Sequence, residues 1–335
     1  MKNRLISPFR LTGALLSFLM ALLLCFPQIS AEGARNGLLL WYQTVLPTLL
    51  PFLICTNLLV SIRAVRFLTA PFSPVLKRIF RLSDSGCFVL LAGMLCGYPM
   101  GAKNCSDFLD QNCLSMPEAR TLYAVSSFPS PMFLAGYMMA KALSAAGGSP
   151  FPIKLSVWKM ALSVYLPVLP MFGLAARIYG FRGSRQTGEK PSMLRPEKST
   201  SAMSSHGQSL PSLPFEEALM SSVDVMVKIG GYLMAFSILA AFLLRLPLPG
   251  TFLPALLLSA AEMTTGQEYA SRHLPGLPGV LLILWAGAFG GCSGLFQAKS
   301  VTKNAGLSIR HYVLWKLVHS LLSCLVLTLL LVPLP

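Results

Sequence analysis

Gly93, Gly97, Pro99 and Gly101 interrupt an otherwise apolar run, GMLCGYPMGA, and Lys103, Asn104, Ser106 and Asp107 follow directly. Glycine removes a side chain and proline an amide donor, both of which a continuous helix uses. The spacing predicts a re-entrant tip whose free backbone groups face a solute, with Gly97, Tyr98, Pro99, Gly101, Lys103 and Asn104 as ligands. Non-helical backbone at membrane depth persists only where it is buried in protein or lines a wet cavity. A kinked packing helix is the plainer alternative. The same grammar recurs in SSFPSPMF (Ser126 to Phe133), where Pro129 and Pro131 break a helix beside the hydroxyls of Ser127 and Ser130. It recurs again in GGCSGLFQAK (Gly290 to Lys299), with glycine as the breaker and Ser293, Gln297 and Lys299 as polar groups. Discontinuous helices at corresponding points of two halves point to a solute site. Close helix contacts through small residues are the competing explanation.

Charge inside the apolar runs is scarce. Glu262 stands alone just before Thr264, Thr265 and Gly266. An intramembrane carboxylate is a functional candidate as a cation or proton site, or as a partner of Lys103 or Lys299, against an interfacial position reaching headgroup water. Asp224 and Lys228, four apart, share a helix face and neutralise each other. The 8 cysteines form no CxxC pair and read as apolar packing residues, so no metal or cofactor is expected. No P-loop, GxSxG or HExxH motif is present, and no enzymatic activity is expected.

The elements that must carry these groups follow from composition. Of 335 residues 54% are hydrophobic and 12% charged, far from soluble usage, and the chain reads as an all-α polytopic membrane protein. Nucleic acid is not needed to explain a net charge of +15, because basic loops on one side of a bilayer produce it. Apolar runs lie near 11–29, 37–62, 85–102, 121–143, 155–176, 218–244, 251–266, 277–298 and 311–333. The Ser-, Pro- and Lys/Arg-rich stretch 177–214 reads as a disordered linker. Residues 45–59 align with 225–239, and SPMF at 130–133 answers SGLF at 293–296, which indicates a duplication. If runs 85–102 and 251–266 dip in and return, 17 Lys/Arg gather inside, the amino terminus among them, against 6 outside. Each half then holds three crossings and one re-entrant element, so the halves are inverted. The expected division is an N-terminal helix (1–34), a first repeat (35–176), the cytoplasmic linker (177–214) and a second repeat (215–335).

GMLCGYPMGAKNCSDFL, MPEARTLYAVSSFPSPMFLAGYM and GGCSGLFQAKSV resemble the YlbJ family of sporulation integral membrane proteins, which sits with the nucleoside-recognition or Gate-domain proteins. The resemblance covers roughly residues 35 to 330. It implies a multi-pass protein of the mother-cell or forespore membrane that moves dipicolinate toward the developing spore. The expected partners are the lipid bilayer and a small solute, a dicarboxylate bound by backbone amides with Lys103 and Lys299 as positive groups. A nucleoside or cation transporter of the same fold, and a non-transporting scaffold for spore assembly, are the alternatives.

Overall fold

The computed structural model describes residues 8–62, 64–148, 153–183, 214–303 and 306–331, and every regular element among them is helical. In chain order these are α1 (Pro8–Cys25), α2 (Pro27–Leu40), a π-helical turn (Trp41–Val45), α3 (Leu46–Ser61), α4 (Val65–Thr69), α5 (Ser73–Phe80), α6 (Asp84–Cys96), α7 (Met100–Asp110), α8 (Met116–Val125) and α9 (Pro131–Phe133). A second π-helical turn (Leu134–Met138) leads to α10 (Met139–Gly147), α11 (Val157–Tyr165) and α12 (Val168–Tyr179). After the linker come α13 (Pro214–Leu243), α14 (Phe252–Ala261), α15 (Met263–His273), α16 (Leu277–Phe289), α17 (Gly291–Val301) and α18 (Ile309–Leu331).

The burial pattern is that of a protein surrounded by lipid. From Leu314 onward the exposed positions of α18 are apolar, with Leu321 at 64% and Leu325 at 54% exposure, while its buried face carries Tyr312, Trp315, Lys316, His319, Ser320 and Ser323. A helix in water does the reverse. Among the described residues five stretches are long and apolar enough to cross a bilayer: Pro27–Ser61, Val157–Tyr179, Phe215–Leu243, Leu277–Val301 and Ile309–Leu331. Of the seven crossings that the sequence implies, the two missing are the short apolar helix ending at Cys25 and the region 121–143, which is split between α8 and α9–α10.

The two short runs suspected of turning back each form a helical hairpin, longer than the run itself. α6 packs on α7 and α14 on α15, with polar second arms reaching Asp110 and His273. The order long helix, hairpin, broken helix, long helix holds on both sides of the linker. α3, α6/α7, α8–α10 and α11–α12 are answered by α13, α14/α15, α16/α17 and α18. Packing follows the same correspondence: α8 meets α12 as α16 meets α18, and across the halves α7 meets α17 as α15 meets α10.

Two boundaries of the sequence reading fall inside helices. The division at 34/35 falls inside α2, because Pro27–Ser61 is one 35-residue helix and the break before it lies at Phe26. Small residues fix that helix in place. A Cβ at Gly33 would lie 2.7 Å from Ile238 Cα and one at Gly37 2.8 Å from Met234 Cα, so a Gly-x-x-x-Gly face seats α2 against α13. The linker is narrower than 177–214, since α12 reaches Tyr179; its central part, 184–213, lies outside the described residues.

Candidate functional site

The helix breaks converge on one another. Glycines 93, 97 and 101 recur every fourth residue across the tip between α6 and α7, and the segment between α8 and α9 lies in the groove they leave. A Cβ at Gly93 or Gly101 would stand 2.0 Å from the Ser126 carbonyl oxygen, and one at Gly97 2.9 Å from the Ser130 amide nitrogen. Gly97 also has φ of +77°, which only glycine adopts without strain. Its neighbour Tyr98 reaches into the second half, where its hydroxyl lies 2.9 Å and 2.8 Å from the carbonyl oxygens of Gly287 and Ala288 at the end of α16 and can donate to either. The tyrosine ring stands against Gly290, the left-handed residue between α16 and α17. Beyond it, a Cβ at Gly291 would lie 3.1 Å from the Met263 amide nitrogen, at the tip of the second hairpin. The tips at Gly97–Pro99 and Glu262 and the breaks at Ser126–Ser130 and Gly290 thus form one chain of close contacts.

Lys316 of α18 points into this junction. It is 1% exposed. Its ammonium donates to the Tyr98 hydroxyl at 2.5 Å and to the Ser127 carbonyl at 2.8 Å, and it stands 4.3 Å from the centre of the Tyr98 ring. None of the ion pairs among the described residues involves it. A lysine ammonium has three donors, so one remains. Beside it, the buried hydroxyls of Ser127 and Tyr312 complete no hydrogen bond of normal geometry, although the two side chains interact. His319, one turn further along the same face, is held by the Val164 carbonyl at 2.8 Å. Lys316 with its spare donor and the neighbouring hydroxyls of Ser127 and Tyr312, surrounded by apolar protein, can together bond a carboxylate.

Not all of the sequence candidates gather here. Gly97, Tyr98, Pro99, Gly101, Ser127 and Ser130 do, Ser130 by capping α9 through the Phe133 amide at 3.3 Å. Asn104 is buried on α7 with its amide nitrogen unpartnered. Lys103 is not a free positive group: Asp107, one turn on, holds it at 2.7 Å. Lys299 is exposed at the end of α17, and Gln297 donates to Ser293 at 3.1 Å within that helix. Asp224 and Lys228 pair at 2.6 Å, as their spacing implies, on an exposed face.

Glu262 is neither an interfacial residue nor a partner of Lys103 or Lys299. It is fully buried and caps α15 with its own side chain, accepting from the amides of Thr264 (3.1 Å) and Thr265 (2.7 Å) and from both threonine hydroxyls. The helix N-terminus supplies the compensating positive end. Glu262→Gln is therefore expected to lower stability by about 1–3 kcal/mol, since an amide nitrogen must face one of these donors. Thermal unfolding of the purified protein in detergent checks this, with Glu262→Asp as the milder companion.

Lys316 was missed by the sequence reading, although a lysine within a 23-residue apolar helix was a sufficient signal. Over 226 residues, 66% of this chain, the sequence is 31% identical to the Sporulation integral membrane protein YlbJ of Bacillus subtilis (strain 168). The chain spans about half, 53%, of the length of that YlbJ protein. No family profile matches the chain, and no solved structure does. The similarity to a sporulation integral membrane protein agrees with the lipid-facing exterior and the apolar spans of this chain.

Proposed function

We propose that this chain carries a small organic anion across a membrane surrounding the forespore, with dipicolinate as the solute. The observation that carries the reading is Lys316: a buried lysine without a carboxylate partner among the described residues, at the point where the helix breaks meet. Burying an ionisable group costs free energy that Tyr98 and Ser127 offset in part. An anionic solute is the natural completion of the site. The matched order and packing of the two halves support a pair of inverted repeats, with the solute near the plane where they meet. A scaffold would need the tips only as packing surfaces and gives no role to a buried lysine at their meeting point. A cation carrier using Glu262 finds that carboxylate already occupied by four donors of its own helix.

Deleting the gene from its host is expected to leave spores depleted of dipicolinate while the mother cell still synthesises it. The purified protein in lipid vesicles is expected to take up radiolabelled dipicolinate. Spores with normal dipicolinate content, together with vesicles that take up none, would sink the transport reading and leave the scaffold.

A further inference from the structure

A cavity of about 130 Å³ opens next to the Lys316 junction, between α8, the end of α12 and the start of α18. Its lining includes Arg120, Tyr123, Tyr179, His311, Tyr312 and Trp315. The walls are held by bonds of their own. Trp315 Nε1–H donates to the Tyr179 hydroxyl at 2.9 Å, the same hydroxyl lies 3.3 Å from His311 Nδ1, and Tyr123 bonds Thr302 at 3.2 Å. Ser308 and Gly306 complete the lining, so the cavity offers both ring surface and polar groups. Arg120 commits only Nε, to the Gly306 carbonyl at 3.0 Å, and its terminal nitrogens carry no hydrogen bond among the described residues. The inner wall is Tyr312, 1% exposed, its ring centre 4.9 Å from that of Tyr123 with the planes tilted by 42°, and its side chain interacts with Ser127. Lys316 is one turn further along α18.

We propose that this cavity is an outer station for a planar aromatic carboxylate. Arg120 takes the carboxylate at the mouth, the rings of Tyr123, Tyr179 and Trp315 hold the plane, and Tyr312 is the partition between this station and Lys316. The volume sets the class: a cavity of about 150 Å³ accepts one benzene ring, so this one admits a single ring and not a nucleoside. Arginine suits the mouth because its planar fork meets a carboxylate with two parallel bonds. Arg177, two residues before Tyr179, and Arg310, one before His311, are exposed and add positive charge to the end of α12 and the start of α18. The inference deepens the transport reading and rests on it for the direction of travel, but binding at the station stands by itself.

The test uses the full-length protein in lipid nanodiscs, labelled with fluorotryptophan, with the Trp315 fluorine resonance assigned by its loss in Trp315→Phe. Dipicolinate is the probe and glutarate, a dicarboxylate without a ring, the comparison. Saturable movement of the Trp315 resonance by dipicolinate and not by glutarate is expected. Arg120→Gln should raise the half-saturation concentration by about tenfold or more, and Arg120→Lys by less, because charge without the fork recovers only part of the interaction. Lys316→Met should leave this binding within about twofold, since the two stations are separate. An unmoved Trp315 resonance in protein that takes up dipicolinate, equal binding of glutarate, or full affinity in Arg120→Gln overturns the station and leaves transport intact. Binding that is saturable, ring-selective and weakened by Arg120→Gln, in protein that takes up nothing, supports the station and removes the transport reading.

Discussion

Lys316→Met is expected to abolish saturable uptake of dipicolinate into vesicles while the protein inserts, accumulates and melts at or above the wild-type temperature. The two halves of this expectation come from opposite sides of the same physics. Lys316 is buried with a neutral hydroxyl and a carbonyl as its polar contacts, so its ionisable group is a burden on the fold. Methionine of similar length fills the space with a flexible apolar chain and removes that burden. The Tyr98 hydroxyl keeps the Gly287 and Ala288 carbonyls as acceptors for its own proton, while its oxygen and the Ser127 carbonyl each lose the lysine as a donor. For the solute the loss is larger. A hydrogen bond to a charged group contributes about 1.5–3 kcal/mol, which becomes roughly a 10- to 150-fold rise in the half-saturation concentration. Lys316→Arg should not restore wild-type behaviour, because a planar fork does not fit between Tyr98 and Ser127 as a compact ammonium does. Uptake by Lys316→Met with unchanged affinity would remove the cation from the site. Loss of the folded protein would instead make Lys316 part of the scaffold of helix breaks.

How much of this was legible in the sequence depends on how far apart the interacting residues lie. The tips were legible because their causes are local: Gly97 and Pro99 cannot continue a helix wherever the chain goes next. The Lys103–Asp107 pair was equally local, a spacing of four that neutralises the lysine, and should have weighed against Lys103 as a free cation. Glu262 was left between an intramembrane and an interfacial position, and its partners are the two threonines that follow it, a capping pattern hidden because the helix start falls inside an apolar run. Lys316 belongs to a different class. Its contacts with Tyr98 and Ser127 span 218 and 189 residues. Nothing along the chain near Lys316 marks it as a neighbour of the first tip. The glycine face at Gly33 and Gly37 shows the same limit, since its periodicity is visible but its partner, α13, comes only with the packing.

Gly101→Ala is expected to cost the protein its fold, although alanine is the better helix former. In a helix interior the exchange normally stabilises by about 0.4–1 kcal/mol by restricting the unfolded chain. Here the new methyl carbon would sit 2.0 Å from the Ser126 carbonyl oxygen and 2.6 Å from its carbon. Those atoms are backbone, and no side-chain rotation moves them away. Relief requires the α8–α9 break to withdraw from the first tip, which separates Ser127 and its carbonyl from Lys316. Overpacking of this kind costs typically about 1–3 kcal/mol and more where the neighbour cannot relax. The measurement is abundance in membranes and the thermal midpoint of the purified protein in detergent, with Gly173→Ala as the control. Gly173 lies within α12 with nothing within 4 Å of its Cβ position, so alanine there should hold or raise the midpoint. A Gly101→Ala protein as abundant and as stable as Gly173→Ala would mean that the two breaks do not touch. The junction at Lys316 would then lose the contact that assembles it.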